Sequence, residues 1–103
     1  VVPGQPQSNR LELTGQVIEV SPLRFTPAGV PVLEFLISHE SEVTEAGQQR
    51  RVALTMPVIA LGDLARMSEG LQLGSSVRIQ GFLAPQRKDS PRFRLHAQLI
   101  QHI

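Results

Sequence analysis

RLELTGQVIEV, residues Arg10 to Val20, decides how the rest of the chain is read. Leu11, Leu13, Gly15 and Val17 alternate with Glu12, Thr14 and Gln16, the period of two that gives a β-strand one buried face and one wet one. Gly15 stands where an apolar side chain is due. A glycine inside a strand marks a bulge or a tight bend, the device by which a strongly curved sheet closes. Past the bend, Ile18 and Val20 carry the apolar face. A strand built to bend predicts a sheet that closes on itself.

The same pattern recurs outward from this strand. Ser21-Pro22 opens a loop to Pro31, with Pro27-Ala28-Gly29 as its turn. A second strand is predicted over Val32 to Ser38. It is apolar on both parities, so Val32 and Leu36 on its outer side call for cover of the kind a partner subunit gives. His39 to Arg50 is polar, turns at Ala46-Gly47, and with its flanking strands resembles a long hairpin. The third strand covers Arg51 to Met56 with Val52, Leu54 and Met56 inward, and Pro57 ends its pairing or marks an edge. Within Ala60 to Gly70, the spacing of Leu61, Leu64, Ala65 and Met67 predicts a short helix bounded by Gly62 and Gly70.

A fourth strand is predicted over Ser76 to Ala84, with Val77, Ile79 and Leu83 inward and Gly81 at a second bend. Pro85 to Pro91 is a polar loop. In the fifth strand Phe93, Leu95, Ala97 and Leu99 face in while Arg92, Arg94, His96 and Gln98 face out. Five strands, two glycine bends and one short helix between strands three and four describe an all-β, five-stranded OB-fold barrel of Greek-key type. Residues 1–8, with Pro3, Gly4 and Pro6, read as a flexible leader, and residues 9–103 as a single OB-fold domain.

Composition narrows the chemistry. With 103 residues of which 41% are apolar, the chain can bury one modest core. The absence of Cys excludes disulfides, thiolate metal sites and a Cys nucleophile, and suits a reducing, cytoplasmic setting. No run approaches the roughly 18 apolar residues of a membrane helix, so no membrane partner is expected. His39, His96 and His102 lack metal-ligand spacing, and Glu40 and Glu42 read as a solvated pair. No nucleophile, zinc or phosphate-loop motif appears. The expectation is a binding protein, with no catalytic residue, metal or cofactor.

Charge points to the ligand. Net charge is +1, yet residues 1–49 hold two basic and six acidic residues while residues 50–103 hold eight basic and three acidic ones. Such lopsidedness suits a polyanion-binding surface, although solvated charge scattered over a barrel or guarding strand edges is the plain alternative. On the fifth strand Arg92 and Arg94 share an outer face with His96. Arg87 and Lys88 lie in the loop before it, Arg78 points outward on the strand before that, and Arg50 and Arg51 begin strand three. Gathered on one face, these cations make a groove that can follow a single-strand backbone. Aromatic platforms are scarce: Phe35 and Phe93 read as core, Phe82, with outward parity beside Gly81, joins the nucleic-acid-binding residues, and Phe25 lies in the first loop as a possible stacking residue.

The order of several fragments completes the reading. They are Asn9-Arg10-Leu11, Pro22-Leu23-Arg24, Thr26 to Pro31, His39-Glu40-Ser41, Glu45-Ala46-Gly47, Met56 to Ile59, Gly74-Ser75, Gln80 to Leu83 and Leu95-His96-Ala97. Together, over about residues 9–102, they resemble the primosomal replication protein N (PriB) family of bacterial replication restart. That resemblance implies a homodimer that binds single-stranded DNA and stimulates the restart helicase PriA. It also implies handover to a further, DnaT-like primosome protein. It places DNA contacts at Arg50, Arg87, Lys88 and Arg92. Gln48 and Ala53 stand where well-known members carry aromatics, Phe25 where they carry a lysine, and Glu40 where they carry a basic residue. Two other readings remain: a protein-interaction OB adaptor whose main ligand is the helicase, and an RNA-binding OB protein.

Overall fold

Alternating runs that bend at glycine do close into a barrel. The computed structural model describes Gly4 and residues 7–103; the leader expected over residues 1–8 falls largely outside the described residues. Its elements are β1 (Leu11–Val20), β2 (Arg24–Phe25), β3 (Pro31–Glu45), β4 (Gln48–Leu61), α1 (Asp63–Met67), β5 (Ser76–Pro85) and β6 (Phe93–His102). One sheet runs in the order β1-β5-β6-β4-β3-β2, and a further β1–β3 pairing joins its ends. Five long strands thus close into the OB barrel, antiparallel throughout except for the parallel meeting of β4 and β6.

Both glycine bends fall where strands come into closest approach. β1 leaves β5 and joins β3 at Gln16, which pairs with both Ser76 and Ser38. A Cβ on the adjacent Gly15 would lie 2.7 Å from the Ser38 carbonyl oxygen. Gly81 is tighter still, since a Cβ there would lie 1.9 Å from the His96 carbonyl oxygen.

The ladder at Gly81 carries a bulge, and it overturns part of the expected inward face of the fifth strand. Gly81 pairs with Ala97 but Gln80 pairs with Leu99, so β6 holds one extra residue and its parity flips. Leu95 is buried and Ala97 packs on the core, but Leu99 turns out to solvent and Ile100 takes the inward place. Phe93, expected in the core, lies opposite Pro85 at the start of the strand and is 55% exposed. In β1 a similar irregularity between Val17 and Glu19 exposes Ile18, while Val17 and Val20 pack inward.

The second and third strands are longer than expected. Their ladder is unbroken from Val32↔Leu61 to Glu45↔Gln48, so the polar stretch His39 to Arg50 is mostly strand. An arm exposed on both faces carries no apolar alternation, which hid its strand character. Pro57 does not end β4. It pairs with Leu36, one residue before the far edge of β4 begins to pair with β6 at Val58. The first loop also holds a short strand, β2, whose Arg24 and Phe25 pair with Val32 and Pro31.

Val17, Leu33, Phe35, Ile37, Val58, Ala60, Val77, Ile79 and Leu95 fill the barrel, with Ala65 of α1 and Leu71 against them. Val52 and Leu54, expected inward, lie on the arm beyond this core, half-buried and exposed respectively. Outside the core, Val32 is only 2% exposed within the single chain, so it needs no partner to cover it; Leu36 stays half-exposed. Among the described residues, no helix is long and apolar enough to cross a membrane.

Candidate nucleic-acid interface

Strand pairing decides what each cation meets. The acidic first half supplies β1 and β3, and the basic second half supplies β4, β5 and β6, so the ladders interleave the two signs. Arg51 lies opposite Glu42 and reaches the diagonal Glu40, Nη2 to Oε2 at 2.9 Å. Arg50 meets Glu45 at 2.8 Å near the hairpin turn, and Arg78 meets Glu12 at 3.2 Å across β1 and β5. On the outer face, Glu34 of β3 accepts from Arg94 of β6 at 2.8 Å and from Arg24 of β2 at 3.3 Å. Pairs this exposed each contribute about 0–1 kcal/mol to the fold, but they neutralise much of the surface.

The loop between β5 and β6 gathers several cations that meet no carboxylate within the described residues. Arg87, Lys88 and Arg92 are exposed and take part in none of the ion pairs among the described residues. The loop is braced from within: Gln86 N–H donates to the Arg92 carbonyl at 2.9 Å, and Ser90 N–H to the Arg87 carbonyl at 3.0 Å. Arg92 N–H in turn donates to Ser90 Oγ at 3.1 Å. A cavity at the neck of the loop is lined by Gln86, Arg87, Ser90 and Arg92. The expected cations therefore separate into two sets, a free cluster on this loop and paired ones at Arg50, Arg51, Arg78 and Arg94.

The aromatic positions also resolve. Phe82 pairs with His96 across β5 and β6, and their rings stack with centroids 5.0 Å apart and planes 14° from parallel. Burial, and then the Arg94 charge, hold the His96 imidazole below its ordinary value of 6.5, so the stacked ring favours its neutral form. Phe25 is 53% exposed, with the Arg66 guanidinium 5.7 Å from its ring centroid. The sequence reading passed over Glu34 and Arg24. A lone acid inside the apolar run Val32 to Ile37 was the available signal. Among the described residues, no group of three or more His, Cys, Asp or Glu gathers as a metal site.

An OB barrel with a cation-rich β5–β6 loop belongs to the class of single-strand-binding folds. Residues 9–99 match a family described as "another single-strand binding protein family". The replication restart protein PriB of Bordetella pertussis is 53% identical over 95 residues, covering 92% of this chain and 89% of that protein. The structure of PriB from Ralstonia solanacearum superposes with a TM-score of 0.83 at 28% identity, covering 93% of this chain and 98% of that one. A single-stranded DNA-binding protein from Thermus aquaticus shares the fold, with a TM-score of 0.76 at 24% identity over 93% of this chain and 50% of that one. The chain belongs to the PriB family of replication restart proteins.

Proposed function

We propose that the chain binds single-stranded DNA on the barrel face around the β5–β6 loop, as an accessory of the replication-restart primosome that performs no chemistry itself. The observation that carries this reading is the cluster of Arg87, Lys88 and Arg92, unpaired on an internally braced loop of a single-strand-binding fold. These cations neutralise strand phosphates and release counterions, while Phe82 offers a base a ring already backed by His96. Arg50, Arg51, Arg78 and Arg94 join as secondary contacts, since each must first share its carboxylate, and Phe25 is a further stacking candidate. In the cytoplasm the protein acts as a homodimer, presents the strand to the PriA helicase, stimulates its unwinding and hands over to a DnaT-like partner.

A second reading, a protein-docking adaptor for the helicase, is favoured by the neutralised arm and by exposed Met67 and Leu73. Titration of fluorescent oligo-dT at several salt concentrations separates the two. Wild-type binding should weaken steeply with salt, and Arg87→Ala/Lys88→Ala/Arg92→Ala should flatten the log–log slope by about 2, at roughly 0.7 per phosphate contact. Failure of the wild type to bind any strand at low salt would sink the DNA reading in favour of the adaptor. Preference for oligo-U would point to RNA instead.

A further inference from the structure

Glu34 is the one acid in the apolar run of β3, and it stands between arginines brought in from β2 and β6. Two guanidiniums converge on a single carboxylate, Arg24 through Nη2 and Arg94 through Nη1. Arg94 has further capacity: its Nε–H is closed off from solvent and has no acceptor among the described residues. Glu34 and Arg94 line a cavity of about 210 Å³ together with Ser21 and Gln86. Gln86 also lines the neighbouring cavity at the neck of the β5–β6 loop, beside Arg87 and Arg92. The loop cations and Arg94 thus lie on either side of Gln86.

We propose that the cavity lined by Glu34 and Arg94 is a phosphate seat that Glu34 holds shut, its carboxylate occupying the place of a strand phosphate on Arg94, with Arg24 holding the same carboxylate from outside the lining. The inference rests on the DNA-binding reading above. Carboxylate and phosphate compete for the same guanidinium fork, because both present paired anionic oxygens to its parallel N–H groups. A strand phosphate entering here exchanges one negative charge for another, so these two arginines release few counterions in the wild type. Glu19, which also lines the cavity, adds a second negative charge that disfavours entry. The pair is half-exposed and contributes little to the fold, so the gate can be removed without dismantling the barrel.

The test compares wild type, Glu34→Gln and Glu34→Gln/Arg94→Gln on oligo-dT across a tenfold range of salt, with melting curves confirming the fold. Glu34→Ser replaces the glutamine variant if that one does not melt cooperatively. Opening the seat should steepen the slope of log affinity against log salt by about 0.7 for one phosphate gained. Relative to wild type, that is about fivefold tighter binding for each tenfold dilution of salt, and the double variant should erase it. If Glu34→Gln leaves a salt-dependent wild-type affinity unchanged, the gate is wrong and the DNA reading stands. A gain that survives Arg94→Gln would reduce Glu34 to a general surface charge and overturn the seat. No binding by any of the three would overturn both readings. Inorganic phosphate titrated alone against the Arg94 Nε–H resonance of Glu34→Gln is the last arm. Saturation below millimolar concentration would assign the cavity to a small free oxyanion and overturn its role toward the strand.

Discussion

His39 ties the base of the β3–β4 arm to β1 through Nδ1, while Nε2 bonds within β3. Its Nδ1 lies 2.7 Å from the Thr14 carbonyl, which can only accept, so Nδ1 carries a proton and donates it. Nε2, 2.8 Å from Ser41 Oγ, accepts from the hydroxyl when the ring is neutral. His96 behaves differently because it is packed flat on Phe82 beside Arg94, and both burial and that charge oppose protonation. Its folded-state value lies below 6.5, so in the interval beneath 6.5 the unfolded chain binds more protons than the folded one. Stability therefore falls as pH drops from 6.5 through that interval, and this contribution levels off below the folded-state value, where both forms are protonated. The urea midpoint should decrease between pH 7 and pH 5, and His96→Gln should remove that part of the decrease. An unaltered pH profile in the variant would show that His96 is not the group responsible. The outward position of His96 was legible from alternation alone, whereas its stacking on Phe82 was not, because it depends on which residue of β5 the bulge places opposite.

Each strand of the barrel shows where periodicity informs and where it fails. β1, β5 and the glycine bends were legible because one face of each is buried, so a slip of one residue would turn the apolar face to water. The bulge at Gln80/Gly81 was not, since an extra residue in β6 leaves Leu99 in an apparently regular alternation that the ladder breaks, while Phe93 keeps the parity of Leu95 but lies at the strand's exposed start. The arm of β3 and β4 was only partly legible for the opposite reason, as strands wet on both faces carry no pattern. The Gly81 bend also has a steep energetic signature. Gly81→Ala would drive a Cβ to 1.9 Å from a backbone oxygen, and should destabilise the protein by about 3 kcal/mol. Gly15→Ala, with its Cβ at 2.7 Å from Ser38 O, should cost less. Urea denaturation of the two variants measures the order, and equal losses would contradict this account of the second bend.

Across the whole molecule, folding pairs much of the basic second half of the chain with the acidic first half. Antiparallel pairing lays β3 on β4 and β1 on β5, and so sets Glu40, Glu45 and Glu12 beside Arg51, Arg50 and Arg78. The candidate site was legible at Arg87, Lys88 and Arg92, which share one loop. The pairing of the other cations depends on diagonal neighbours across strands, which no count along the chain contains. On the DNA-binding reading proposed above, the arm and the loop should contribute unequally. Arg50→Ala/Arg51→Ala should flatten the salt slope by less than Arg87→Ala/Lys88→Ala does, because each arm cation already has a carboxylate beside it. Equal flattening in oligo-dT titrations would show that the arm pairs open on binding.

The barrel is sealed unevenly. The β1–β5 ladder runs from Leu11↔Gly81 to Gln16↔Ser76, but β4 and β6 meet only at Val58↔Leu95 and Ile59↔His96. The meander of β1, β3 and β4 and the β5–β6 hairpin each join strands close along the chain, so both can assemble early. Docking these two units brings together the β1–β5 ladder and the short seam, both joining residues far apart in sequence, and the seam returns only two residue pairs for the entropy of that closure. It is therefore the thinnest junction between the long strands of the barrel. That edge carries His96 and follows directly on Arg94. The proposed strand surface thus borders this thin junction, and an occupant spanning β4 and β6 would act as a clasp across it.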